Sequence, residues 1–323
     1  MSRVRRRWLL AAGLLGVTLV GRAARTRPSV QMRLAKVFLR LTRRESELDA
    51  YRARPYPRAA PVKPSLREFC DVRERQVQGR PVYDLTPKHG ASDWHFIYTH
   101  GGGYTGALVS AHWDVVESLV RLTGASVTVP LYPLTPEHTY EAAYSLLEAV
   151  YRDLLSRTPA EKIVLCGDSA GGALALGQAI HARDTALPSP GRVVLFAPWL
   201  DLALSDPEIE KVEPRDVMLR ADRLRVKGRW WAGNADRTGP LLSPMYADLR
   251  GLPPIDVFHG TDDLLIVDAR TFHRQALRVG ADVRLYETPG GFHVFMGAPW
   301  IPEARDVYRQ IARNLEVPLE ART

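Results

Sequence analysis

The stretch Val164–Gly172, VLCGDSAGG, sets an apolar, strand-like run directly against a serine surrounded by glycine and alanine, and a helical pattern, AGGALALGQAIHARD, begins at once. A strand that turns sharply into a helix brings the two backbones so close that only residues without bulk fit around the turn. The residue at the apex takes a strained conformation, and its side chain is raised above the sheet at a helix N-terminus, where developing negative charge is favoured. Gly167, Ala170, Gly171 and Gly172 meet the steric demand, and Ser169 holds the apex of a G-x-S-x-G pattern.

Outward from this turn the chain alternates. WHFIYTH, SVTVPLYP, KIVLCGD, GRVVLFAPW, PIDVFHG and DVRLYETP read as strands, and amphipathic segments such as SAHWDVVESLVRLTG, TYEAAYSLLEAVYRDLLS and LIVDARTFHRQALRVG read as the helices between them. Short apolar runs separated by helices make βαβ units, so the fold class is α/β with a mostly parallel, doubly wound sheet. RERQVQGRPVYDL precedes them as a hairpin around Gly79. About residues 201–252 the rhythm breaks: helix-like pieces replace the expected strand, which reads as an insertion over the C-terminal edge of the sheet, where open α/β sheets bind ligands.

The 323 residues are 46% hydrophobic, ample for a globular core, and carry a net charge of +8, mostly arginine crowded into the N-terminal part. No nucleic-acid motif accompanies that charge. Two cysteines, Cys70 and Cys166, are too few for a disulfide framework. Residues 1–27 combine four early arginines with an uncharged apolar run, Trp8–Gly21, and three further arginines. Fourteen residues rise only about 21 Å as a helix, short of a roughly 30 Å hydrocarbon layer, so the segment reads as a signal peptide or shallow membrane anchor, with a cytoplasmic location as the alternative. A second basic segment follows, with Val30, Leu34, Val37, Phe38 and Leu41 at helical spacing, the pattern of one buried helix face; a proline-rich linker then leads into the main domain.

A serine hydroxyl is almost unionised at neutral pH and needs a base within reach and a place for an oxyanion. Gly101, Gly102 and Gly103, in YTHGGGY at another strand end, leave backbone amides uncovered and with the Ala170 amide make a candidate oxyanion hole. A phosphate loop would need a lysine and a serine or threonine after the glycines, which are missing. His293, in PGGFHVF after the last strand, is the candidate base. FHGTDDLLIVD offers Asp262, Asp263 and Asp268 to orient it; Asp262, nearest the strand, is the first choice, Asp263 the second, and Asp268 has the position of a helix-start residue. Serine, aspartate and histidine then follow one another in the order found in α/β-hydrolases.

With HGGGY, YPLTPEHTYEAA, GDSAGG, HGTDDLL and GGFHVF in sequence order over roughly residues 65–316, the chain resembles the bacterial hormone-sensitive lipase family of esterases. The resemblance implies an α/β-hydrolase catalytic domain at 65–316 with a helical cap inserted at about 201–252; outside it the residues themselves read as a cap helix and linker at 28–64 and a tail at 317–323. It implies Ser169 as nucleophile, Asp262 as acid and His293 as base, and His100 as the brace of the glycine loop. It implies no metal or cofactor, a small-molecule ester or lactone substrate of short to medium acyl length, including acetyl esters, and a homodimer formed through the last strand and helix. An amide hydrolase with the same triad and a non-catalytic binding homologue are the alternatives; the presence of His293 speaks against the second. Pro133 stands where the family has an arginine, and DDLLIVD departs from its usual sequence around the acid. Trp230, Trp231, Met218 and Leu219 could line an acyl pocket or simply pack.

Overall fold

The computed structural model describes residues 27–42 and 56–318. The apolar run Trp8–Gly21 and most of the 317–323 tail lie outside the described residues. Helix α1 (Val30–Thr42) and the short α2 (Pro64–Phe69) lead into a single eight-stranded sheet: β1 (Cys70–Val77), β2 (Arg80–Pro87), β3 (His95–Thr99), β4 (Ser126–Pro130), β5 (Ile163–Asp168), β6 (Arg192–Phe196), β7 (Ile255–Gly260) and β8 (Val283–Thr288). The strand order is β1-β2-β4-β3-β5-β6-β7-β8. β1 and β2 form the expected hairpin, with Gln78 and Gly79 both at positive φ in its turn; β2 pairs antiparallel with β4, and every later pairing is parallel. The mostly parallel sheet anticipated from the alternating pattern, and the α/β-hydrolase architecture that the resemblance implies, are therefore present.

Helices cover both faces, as a parallel sheet buried on both sides requires. On one face α4 (Tyr140–Leu155), α5 (Ala170–Asp184) and α8 (Ile266–Val279) bury Leu146, Leu147, Leu174, Leu176 and Phe272. On the other, α3 (Ser110–Thr123) and α9 (Pro302–Asn314) bury Trp113, Val116, Leu119, Tyr308 and Ile311. Between β6 and β7 the chain leaves the sheet for α6 (Ile209–Val212) and α7 (Ala221–Ala232), the helical insertion read from the sequence. Cys70 and Cys166 are buried free thiols. Among the described residues no helix is long and apolar enough to cross a membrane.

Helix α1 reverses one expectation. Val30, Leu34, Val37, Phe38 and Leu41 form an exposed face, between 55% and 80% accessible, whereas Met32 and Ala35 on the other side are buried. Polar anchors decide which face docks. The Ser29 hydroxyl accepts the Met32 amide at 3.0 Å, capping the helix, while the Ser29 amide and hydroxyl both donate to the Glu303 carboxylate of α9, at 2.6 and 2.8 Å. Lys36 adds an ion pair with Asp262. Periodicity identifies an apolar stripe but does not say whether the protein's own core covers it.

Candidate active site

All the site loops leave the sheet at the carboxyl ends of parallel strands. Ser169 closes β5 and precedes α5 with φ 54° and ψ −121°, the strained apex expected from G-x-S-x-G, and its amide donates to the Phe196 carbonyl at 2.8 Å. A side chain at Gly171 would run into the Thr99 carbonyl and one at Gly167 into the Gly171 carbonyl, so the small residues are required by the approach of β3, β5 and α5.

Three buried groups meet above this turn. His293 Nε2 lies 2.9 Å from Ser169 Oγ, and Nδ1 lies 2.7 Å from Oδ2 of Asp263. The Asp263 carboxylate, which also accepts the Leu265 amide at 2.9 Å, can accept only a proton-bearing nitrogen, so Nδ1–H donates to it and Nε2 is left to accept from the serine hydroxyl. Burial opposes charge on the imidazole, but the adjacent Asp263 outweighs it and holds the His293 pKa above the usual histidine value. Burial likewise works against ionisation of Asp263, and the facing His293 and His259 keep its pKa below the usual carboxylate range.

Asp262 does not occupy that position. Its carboxylate turns outward to Lys36 of α1, with Arg215 of the insertion at 3.6 Å. Its amide is fixed to the Gly291 carbonyl at 3.0 Å in the turn after β7, and with its carboxylate on Lys36 and Arg215 it is Asp263 that faces His293. Asp268 lies in the first turn of α8, as expected for a helix-start residue, but it is buried and neither carboxylate oxygen has a hydrogen-bond partner among the described residues. Desolvation, with the charges of Asp201, Asp206 and Asp263, pushes its pKa up to about 8. The native state therefore retains a proton that the unfolded chain releases near pH 4, and stability falls as pH rises from there to about 8. Asp268→Asn is expected to melt close to wild type at pH 5 and several degrees above it at pH 9, measured by parallel thermal scans.

The glycine loop after β3 divides its labour. The Gly101 amide donates to Asp168 Oδ1 at 2.9 Å and is therefore not free to receive an oxyanion, a correction to the four-amide hole. Asp168 is buried and collects the Tyr98 hydroxyl at 2.5 Å as well, with His112 Nε2 at 3.6 Å. A buried carboxylate needs donors, and the first loop amide is one of them. Gly102 and Gly103 take φ of 117° and 62°, which favour glycine, and their amides have no acceptor among the described residues. The Ala170 amide, at the first position of α5, is one of the helix's unpaired N–H groups. His100 braces the loop: Nδ1–H donates to the Gly101 carbonyl at 2.7 Å, the ring stacks on Tyr132 at 4.5 Å, and burial drives its pKa down to about 3. It is therefore neutral at physiological pH.

The insertion closes over this loop. Lys227 and Leu224 of α7 come within 3.2 and 3.9 Å of where a Gly103 side chain would begin. Trp231 is fully buried and stacks on Tyr104 at 4.2 Å, so it packs; Leu219 and Trp230 are half-buried, and Met218 is exposed. Asp216, also in the insertion, accepts the Leu264 amide at 2.9 Å, next to Asp263, and the Met218 and Leu219 amides at 2.8 Å. Burial and the charge of Asp263 raise its pKa to about 6. The sequence reading did not single out Asp168, His259 or Asp216. Asp168 sits inside the quoted motif, but His259 and Asp216 gain meaning only from contacts across the fold. Among the described residues no group of three or more histidine, cysteine, aspartate or glutamate side chains is placed to hold a metal ion.

Residues 96–297 match the family model of the α/β-hydrolase fold. The chain is 36% identical over 212 residues to an acetyl-hydrolase of Streptomyces hygroscopicus, covering 65% of this chain and 71% of that protein. It is 29% identical over 263 residues to an esterase of Acinetobacter venetianus, covering 78% and 86%. A solved hormone-sensitive lipase from a metagenome library superposes with a TM-score of 0.76 at 29% identity, covering 93% of this chain and 99% of that one. The class defined by fold and site is thus that of the α/β-hydrolases. The chain belongs to their hormone-sensitive lipase family, as a carboxylesterase-like hydrolase acting on carboxylic esters of small molecules.

Proposed function

We propose that the protein hydrolyses short-chain carboxylic esters, acetyl esters foremost, through an acyl-enzyme on Ser169. The observation that carries this reading is the hydrogen-bonded line from Ser169 Oγ through His293 to Asp263, beside the amides of Gly102, Gly103 and Ala170, which have no acceptor among the described residues. Ser169 Oγ attacks the ester carbonyl carbon as its proton passes to His293 Nε2. The carbonyl oxygen becomes an oxyanion and is held by the three amides, while Asp263 keeps the imidazole in the required tautomer and stabilises the imidazolium. The carbon–oxygen bond of the tetrahedral intermediate breaks, and Nε2–H protonates the leaving alcohol. Water then enters, gives a proton to Nε2 and attacks the acyl carbon; breakdown returns the proton to Ser169 and releases the acid.

The short acyl chain is supported by the Streptomyces relative, which is named an acetyl-hydrolase; Leu224 and Lys227 of α7 lie over Gly103, so the insertion borders the glycine loop. A series of p-nitrophenyl esters from acetate to palmitate is the direct test. The expected result is a maximum in kcat/KM at acetate to butyrate and a fall of at least about tenfold by octanoate, the scale on which mismatched methylenes change a pocket's selectivity. A maximum at decanoate or beyond would contradict the assigned acyl length.

A further inference from the structure

We propose that the exposed face of α1 is a membrane-docking surface that seats the protein on an anionic lipid layer, with the loops of Asp263 and His293 directly behind it. At about 100° per residue, Val30, Leu34, Val37, Phe38 and Leu41 fall within an arc of roughly 100°, and Arg33 and Arg40 lie together along one border of it. All seven side chains are exposed. The opposite face is committed to the protein through Met32, Ala35, the Ser29–Glu303 hydrogen bonds and the Lys36–Asp262 ion pair. The helix is therefore docked by its less apolar side, with a row of large apolar side chains facing out.

A narrow apolar stripe with arginines on its border matches a helix lying in a bilayer interface, its apolar side among the acyl chains and its cations at lipid phosphates. The sequence upstream points to the same occupant. Trp8–Gly21 is an uncharged apolar run with four arginines before it and Arg22, Arg25 and Arg27 after it, ending shortly before α1 begins. Two consecutive basic-apolar segments supply the two signals that stable anchoring at a lipid surface takes. The chain's charge of +8 complements an anionic leaflet. The placement has a consequence for the site. Asp262, paired with Lys36, is the neighbour of Asp263, and Pro28 packs against Gly290 on the loop that carries His293. Seating α1 on a membrane puts these loops next to the lipid.

The test compares the full chain with Leu34→Glu/Phe38→Glu/Leu41→Glu and with Arg33→Glu/Arg40→Glu. It uses co-sedimentation with vesicles of phosphatidylcholine alone or mixed with phosphatidylglycerol. The triple variant should partition at least about tenfold more weakly, and the arginine variant should show a smaller preference for phosphatidylglycerol, the upstream arginines keeping part of it, while both keep wild-type activity on water-soluble p-nitrophenyl acetate. An environment-sensitive dye on Phe38→Cys should shift to the blue when vesicles are added. Partitioning of the triple variant equal to wild type, with the dye emission unmoved, would overturn the proposal. So would a wild-type dimer in sedimentation that the triple variant abolishes while the dye ignores vesicles, since a second copy of the chain would then cover the stripe.

Discussion

Ser169→Ala is expected to lower kcat on p-nitrophenyl acetate by roughly 10⁶-fold and to leave the melting temperature close to wild type. The reasoning is geometric. Ser169 Oγ is the hydroxyl that His293 Nε2 reaches, and alanine at a buried apex of the same backbone conformation removes the oxygen without changing the packing of β5 against α5. The remaining activity would come from the amides of Gly102, Gly103 and Ala170, which can still polarise a bound ester for attack by water. A variant that kept more than a hundredth of wild-type turnover, with contaminating esterase excluded by active-site titration, would place the nucleophile elsewhere.

The second large effect separates two adjacent aspartates. Asp263→Asn is expected to reduce kcat by about 10⁴-fold, because the amide no longer fixes Nδ1 as the protonated nitrogen or stabilises an imidazolium. Asp262→Asn should stay within a few-fold of wild type, because it removes a partly buried ion pair with Lys36 and a longer one with Arg215, neither of which touches Ser169 or His293. The pH dependence carries a separate sign. The reaction needs neutral His293, so kcat/KM should fall as pH drops through a midpoint above the ordinary histidine value, since Asp263 raises that pKa. Without the carboxylate the largest raising influence is gone, and burial, which favours the neutral ring, is opposed only by the lesser charges of Asp216 and Asp168, so the acid limb in Asp263→Asn should move to lower pH. Equal losses in the two variants, or an acid limb that does not move, would contradict the assignment of Asp263.

What the sequence disclosed and what it withheld divide along a physical line. Ser169, the glycine loop and the strand segments themselves were legible because each is marked by a local demand: a tight turn that excludes bulk, amides that must stay uncovered, apolar runs of strand length. His293 was legible as the one histidine in a glycine-flanked loop after the last strand. The choice between Asp262 and Asp263 was not, because one peptide unit decides which side of the turn a carboxylate faces, and the neighbours that decide it, Lys36 and Arg215 on one side and His293 on the other, come from distant segments. The same limit explains Gly101: composition shows a bare amide, but only the fold brings Asp168 up to claim it. Helix α1 was read correctly as an amphipathic helix and wrongly as a buried one, because its docking is fixed by Ser29 and Lys36 on the less apolar side.

The central claim is that one hydroxyl in this protein is made nucleophilic by a histidine oriented by Asp263. It is tested most directly by reaction with a fluorophosphonate followed by peptide mass mapping. One equivalent of adduct is expected, on the peptide that contains Ser169, with the rate of labelling reduced by at least about 10³-fold in His293→Ala and in Asp263→Asn but unchanged in Asp262→Asn. Adduct on another serine, or labelling of Ser169 at the wild-type rate in the His293 variant, would contradict it.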